Sequence, residues 1–176
     1  MTREIATVNK KLALLMLFSC FTFVASSQTL PRESLRGLNG VFLYVHPVGK
    51  EVEAGGLSTQ QVRKVAETLL FEAGIPVQNE PQPGNGSANL VVIIETVKNP
   101  QGVYVYEVEV SLLQEVHLAR RQEPDSFPSQ TWGTKAIGLT NGNRMDLIVE
   151  PLRAGIREFI KDYLSVNPKV QQKTKQ

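Results

Sequence analysis

The residues best suited to chemistry are Glu107, Glu109, Glu115 and His117, which alternate along one segment. Alternate residues of a strand share a face about 7 Å apart, so such neighbours could hold a cation or act as an acid–base pair. An antiparallel strand with one wet face also produces alternating glutamates for solubility alone, and that is the reading the pattern favours. His46 stands at a strand end before Pro47, where packing or a surface hydrogen bond accounts for it. Gly84-Asn85-Gly86 hints at a phosphate loop, yet it lacks a third glycine and leads into an apolar strand instead of a helix. Asn85-Gly86-Ser87 fits the N-glycosylation pattern, which matters only in a cell that glycosylates its exports. No G-x-S-x-G elbow is present. The two histidines are 71 residues apart and no helix places two ligands on one face. The sequence therefore assigns no catalytic, cofactor-binding or metal-ligating residues, and no cofactor.

The composition narrows the classes further. Hydrophobic residues make up 41% and charged residues 20% of 176, an ordinary globular mixture that excludes wholesale disorder. The single cysteine, Cys20, excludes an intramolecular disulfide framework. Aromatics at 7% and a net charge of +2 give no footprint for nucleic acid.

The first residues belong to targeting rather than to a fold. Arg3, Lys10 and Lys11 precede thirteen uncharged residues, Leu12 to Val24, and then Ala25, Ser26 and Ser27. A basic region, a short apolar run and small residues make a secretory signal peptide, with the cut placed after Ser27. A retained membrane anchor is the alternative, although a spanning helix needs about 20 apolar residues. Lipidation at Cys20 is a second alternative, disfavoured because Phe21, Phe23 and Val24 continue the apolar run beyond it. Cleavage leaves 149 residues with 16 bases and 16 acids, and no cysteine. Intact-mass analysis of the exported protein should show a chain beginning at or near Gln28; a mass carrying a diacylglyceryl group on Cys20 would contradict this.

The elements that would position any site follow from periodicity. Val41 to His46 reads as a strand buried on both faces. Ser58 to Ala73 reads as a helix, with Ser58 and Gln61 as a capping box, Leu57 and Val62 as a hydrophobic staple, and Gly74 as its stop. Its apolar stripe is Val62, Val65, Ala66, Leu69, Leu70 and Ala73. Ile75-Pro76-Val77 begins a short strand, and Asn89 to Val97 is a strand with an apolar centre. After a turn at Asn99 to Gly102 comes a long strand, Val103 to Arg120, with the glutamates on its wet face. Arg121 to Pro128 reads as a loop and Ser129 to Gly138 as a strand. A final helix starts near Asn143 and runs to about Leu164, with Pro151 marking a kink or a restart.

The resulting order, β-α-β-β-β-β-α or one strand fewer, predicts an α+β fold. It is a two-layer α/β sandwich: a mixed, mainly antiparallel sheet of 4–5 strands with two helices on one face. The expected organisation is a signal peptide over 1–27, a single domain over 28–168 and a flexible basic tail over 169–176.

Several segments together give a resemblance. They are Leu38-Asn39-Gly40-Val41, Ala73-Gly74-Ile75-Pro76-Val77, Tyr106 to Val116, Thr131-Trp132-Gly133 and the terminal run Phe159 to Pro168 (FIKDYLSVNP). Covering most of residues 35 to 168, they resemble a group of small exported bacterial proteins, with the terminal run the most specific piece. The element order is also similar, at the level of fold alone, to α/β domains of envelope accessory proteins such as the N-terminal domain of TolB. The resemblance implies export to the periplasm or the extracellular space and brings no catalytic residues with it.

Three classes of function remain: a non-catalytic exported domain that binds a protein or a cell-envelope component, a small-ligand carrier with a pocket between sheet and helices, and an enzyme with an unrecognised site. The first is favoured, because no chemistry-bearing motif survives and strands offer edges. The long strand over 103–120 is the expected edge: residues 89–97 would cover about 103–111 and residues 129–138 about 111–120, leaving half of each side open. A bend or bulge near Ser111 is the competing expectation. Neither nucleic acid nor a mature membrane span is expected among its partners.

Overall fold

Alternating apolar residues over 41–45, 88–98 and 103–117 dictate strands, and the fold is built around them. The computed structural model of the chain describes residues 32–80, 88–120 and 126–168. The segment over 1–27 expected to be a signal peptide, with Cys20, the Gly84-Asn85-Gly86 segment with its glycosylation pattern, and the tail over 169–176 lie outside the described residues.

In chain order the elements are β1 (Val41–Val45), α1 (Lys50–Ala54), α2 (Thr59–Glu72), β2 (Val77–Gln78), β3 (Ala88–Lys98), β4 (Val103–His117), β5 (Ser126–Asn141) and α3 (Val149–Val166). Short 3-10 turns at Arg32–Leu35 and Met145–Ile148 precede β1 and α3. The strands form one mixed sheet in the order β2-β1-β3-β4-β5. β1 runs parallel to both β2 and β3, whereas β3, β4 and β5 are antiparallel. The longer helices α2 and α3 lie side by side on one face, which gives the expected α+β sandwich.

The start of α2 obeys its local sequence. The Ser58 side chain accepts from the Gln61 N–H at 3.2 Å, and Gln61 Oε1 accepts from the Ser58 N–H at 2.7 Å. Those two bonds satisfy donors that a bare helix end leaves open. Of the two readings of Pro151, restart is correct. A 3-10 turn ends at Ile148 and Pro151 falls in the first turn of α3, where a missing N–H costs nothing. Between β3 and β4 the Asn99 carboxamide oxygen accepts from the Val103 N–H at 2.9 Å, closing the hairpin.

One apolar cluster joins the helical layer to the sheet, with Leu43, Leu90, Leu112, Trp132, Leu152, Ile156 and Phe159 all fully buried. Two side-chain bridges from β5 lock α3 above it. Trp132 Nε1 donates to Asp162 Oδ2 at 3.0 Å, and Thr134 Oγ1 donates to Glu158 Oε2 at 2.9 Å. A two-residue step on the strand matches a four-residue step on the helix, so both bridges form in register. α3 can sit this low because Gly155 faces β4; a Cβ there would lie 2.8 Å from Val110 Cγ2.

The segments that carry the family resemblance meet in this framework. The Tyr163 hydroxyl donates to the Leu38 carbonyl at 2.7 Å. Asn167 accepts from the Gly37 N–H and donates to the Leu35 carbonyl, each at 2.7 Å. Gly40, at φ 145, brings the Val41 N–H to 3.0 Å from the Pro76 carbonyl, where a Cβ would collide with that oxygen. The FIKDYLSVNP run therefore holds residues 35–38 against the end of α3 through Tyr163 and Asn167, and its described contacts serve packing.

Three expectations are corrected. β1 is buried on one face only, because Tyr44 is 43% exposed on the side the helices leave open. The last strand begins at Ser126 rather than Ser129 and continues to Asn141. The long strand β4 ends at His117 and is a central strand: residues 104–114 pair with β3 and residues 103–117 pair with β5. Its edges are therefore not half open. The bulge expected near Ser111 is present between Leu112 and Leu113, but the extra residue, Thr131, belongs to β5.

Candidate binding edge

The sheet face opposite the helices carries the odd-numbered residues of β4, so the glutamates singled out from sequence do share one face. Glu107 and Glu109 stand opposite Ile137 and Lys135 of β5. Lys135 Nζ lies 2.9 Å from Glu107 Oε1 and 2.8 Å from Glu109 Oε2. The hydrogen bonds that the Lys135 ammonium donates to these carboxylates, that to Glu109 foremost, hold it well above the ordinary lysine range. Glu115 and His117 are not part of this clamp. They lie beyond the bulge, opposite Pro128 and Ser126. His46 is exposed, with Nδ1 3.0 Å from the Pro47 carbonyl oxygen. Among the described residues no group of three or more His, Cys, Asp or Glu side chains is placed to hold a metal ion.

The Lys135 clamp is a surface device. Lys135 is 52% exposed but Glu109 only 15%, so Lys135→Met removes one exposed pair and leaves one largely buried carboxylate without its cation, and should lower unfolding stability at pH 7 by about 1–2 kcal/mol. A raised lysine stabilises fully below its unfolded-state value of about 10.4 and loses that contribution as pH rises through the folded-state value. The difference between wild type and Lys135→Met should thus be flat across neutral pH and shrink only in strong alkali, which denaturant titrations at several pH values would check.

The same face holds a feature that alternation alone did not reveal. Val97 of β3 pairs with Val105 of β4, and Val105 pairs with Leu139 of β5. Ile137 lies two residues along from Leu139. Val97, Ile137 and Leu139 are 70%, 71% and 68% exposed, and Val105 is partly exposed beside them. Four aliphatic side chains thus make one apolar patch that reaches the outer strand of the sheet. Among the described residues no strand pairs with the far side of β5. An outer strand keeps a row of unpaired N–H and C=O groups, which is a template for another strand.

The two halves of β5 differ. In the first half Pro128 donates no N–H, Thr131 interrupts the ladder, and the Thr131 carbonyl accepts from Ser34 Oγ at 3.0 Å. The second half, Thr134 to Asn141, contains neither proline nor bulge. On its core side the Tyr106 ring closes over Gly138, where a Cβ would collide with it.

A groove of about 400 Å³ opens between α2 and α3, bordered by Leu57, Val65 and Val149 with Lys64 and Arg153. It lies between helices and not between helices and sheet, where a carrier pocket was expected. Among the described residues no helix is long and apolar enough to cross a membrane.

The sequence matches no family model and no curated protein.

Proposed function

We propose that this is a non-catalytic exported domain that binds a protein or cell-envelope component by accepting the partner's strand on β5. One observation carries the reading: the outer side of β5, from Thr134 to Asn141, is unpaired among the described residues and lies beside the exposed Ile137 and Leu139. Strand addition draws affinity from backbone hydrogen bonds and specificity from alternate side chains. Here the alternate side chains are Lys135, Ile137 and Leu139, which offer one cation held by two carboxylates and two aliphatic contacts. The reading requires no cofactor and no reacting group. Export, and membership of the group of small exported bacterial proteins that the chain resembles, are part of the same proposal and rest on the N-terminal pattern and the FIKDYLSVNP run.

The test is affinity capture from the native envelope or culture fluid, using the exported protein and its Ile137→Asp/Leu139→Asp variant. The partner should be retained by the first and lost from the second while both remain folded. A partner held equally by both would overturn the reading. The groove between α2 and α3, which Asp146 lines along with Lys64 and Arg153, favours a second reading, a carrier of a small ligand with an apolar body. Binding blocked by Val65→Trp and untouched by the double variant would select it.

A further inference from the structure

We infer that the unprotected half of β5 pairs with the same strand of a second copy of this chain, antiparallel, about a two-fold axis at Gly138. The inference rests on β5 being the binding edge and names its occupant. Proteins blunt exposed edges with proline, bulges, covering segments and charge. On β5 the first three of these act on residues 128–131. Between Thr134 and Asn141 the sole charged residue is Lys135, and its ammonium is drawn onto Glu107 and Glu109 of its own sheet.

Identical antiparallel strands bring residues of the same face opposite one another, so the axis must pass through a residue position. An axis at Ile137 would set Leu139 against Lys135 of the second copy. An axis at Leu139 would set Ile137 against Asn141. An axis at Gly138 sets Ile137 against Leu139 of the second copy, twice by symmetry, and Lys135 against Asn141, so like charges do not meet. On the helix side the same register opposes Gly138 to Gly138 and Ala136 to Thr140, all small. Val97 and Val105 continue the aliphatic row inward in each copy, joining two patches into one stripe of eight aliphatic side chains. A surface that satisfies itself in this way is what a two-fold interface requires.

The experiment is sedimentation equilibrium of the exported protein over a concentration series. It is paired with isotope-filtered NMR of a mixture of labelled and unlabelled protein, which detects contacts between copies only. The expected result is a reversible dimer with methyl contacts between Ile137 of one copy and Leu139 of the other. Leu139→Asp should weaken dimerisation by about tenfold or more, since each substitution is met twice across the axis. The NMR contact keeps the test decisive if Leu139→Asp fails to fold. A monomer at every concentration overturns the inference, as does a dimer that Leu139→Asp leaves unchanged or one lacking the Ile137–Leu139 contact. A monomer that still loses a foreign partner on Ile137→Asp/Leu139→Asp overturns self-pairing alone and leaves the binding edge standing.

Discussion

Trp132→Ala should cost about 3–5 kcal/mol of folding stability, the range for removing a large buried aromatic side chain. In a chain of this size that lowers the unfolding midpoint by on the order of 10 °C. Three effects combine at this position. Trp132 is fully buried, its ring meets Phe159 edge to face at 5.3 Å, and its N–H satisfies the buried Asp162 carboxylate. Trp132→Phe would retain part of the packing but leave Asp162 without that donor, at a cost of about 1–3 kcal/mol. Asp162→Asn keeps an acceptor for the indole and should be milder than either. Calorimetry of the three variants would check the order, and a loss below about 1 kcal/mol for Trp132→Ala would contradict this account of the core.

Gly155→Leu should be comparably damaging for the opposite reason. Overfilling a packed core typically costs about 1–3 kcal/mol and sometimes more. At Gly155 the obstacle is sheet side chains, with Val110 Cγ2 2.8 Å and Thr134 Cγ2 3.5 Å from where a Cβ would stand. Relief requires α3 to lift off β4, which would also stretch the Trp132–Asp162 and Thr134–Glu158 bridges. A loss of about 3 kcal/mol or more is expected. Replacing glycine by alanine inside a helix normally stabilises by up to about 1 kcal/mol, so a second expectation is sharper: Gly155→Ala should give no such gain. Denaturant titration would show lowered midpoints with unchanged slopes; a stabilised Gly155→Ala would show that α3 has room to spare.

Local signals were legible in the sequence where a single element decides the outcome. Ser58 and Gln61 specify their own capping box, and the alternation from Tyr104 to Leu112 specifies which face of β4 is buried. Features set by distant partners were not legible. The Trp132–Asp162 pair spans 30 residues, and no local pattern announces it. α1 has five residues with only Val52 buried, too short to show a helical period. Pro128 reads as the end of a loop, but an outer strand tolerates proline because a position whose backbone nitrogen faces away from the sheet needs no N–H, and β5 accordingly begins at Ser126. The position of the open edge depends on strand order. Sequence alone placed it on β4, the longest alternating segment, whereas β3 and β5 cover β4 and, among the described residues, β2 and β5 are the outer strands. The glutamates were correctly placed on one face, but the cation that joins two of them comes from Lys135, a residue with no signal of its own.

Among the described residues β5, and not β4, presents an open edge. Residue-resolved amide hydrogen exchange on the protein, diluted until it sediments as a monomer, tests it without knowledge of any partner. Amides throughout 104–114 should be strongly protected, because each is paired to β3 on one side or β5 on the other. Between Thr134 and Asn141 protection should alternate, with every second amide facing outward and exchanging fast. Uniform protection across 134–141 in the dilute protein, or fast-exchanging alternate amides within 104–114, would contradict the account.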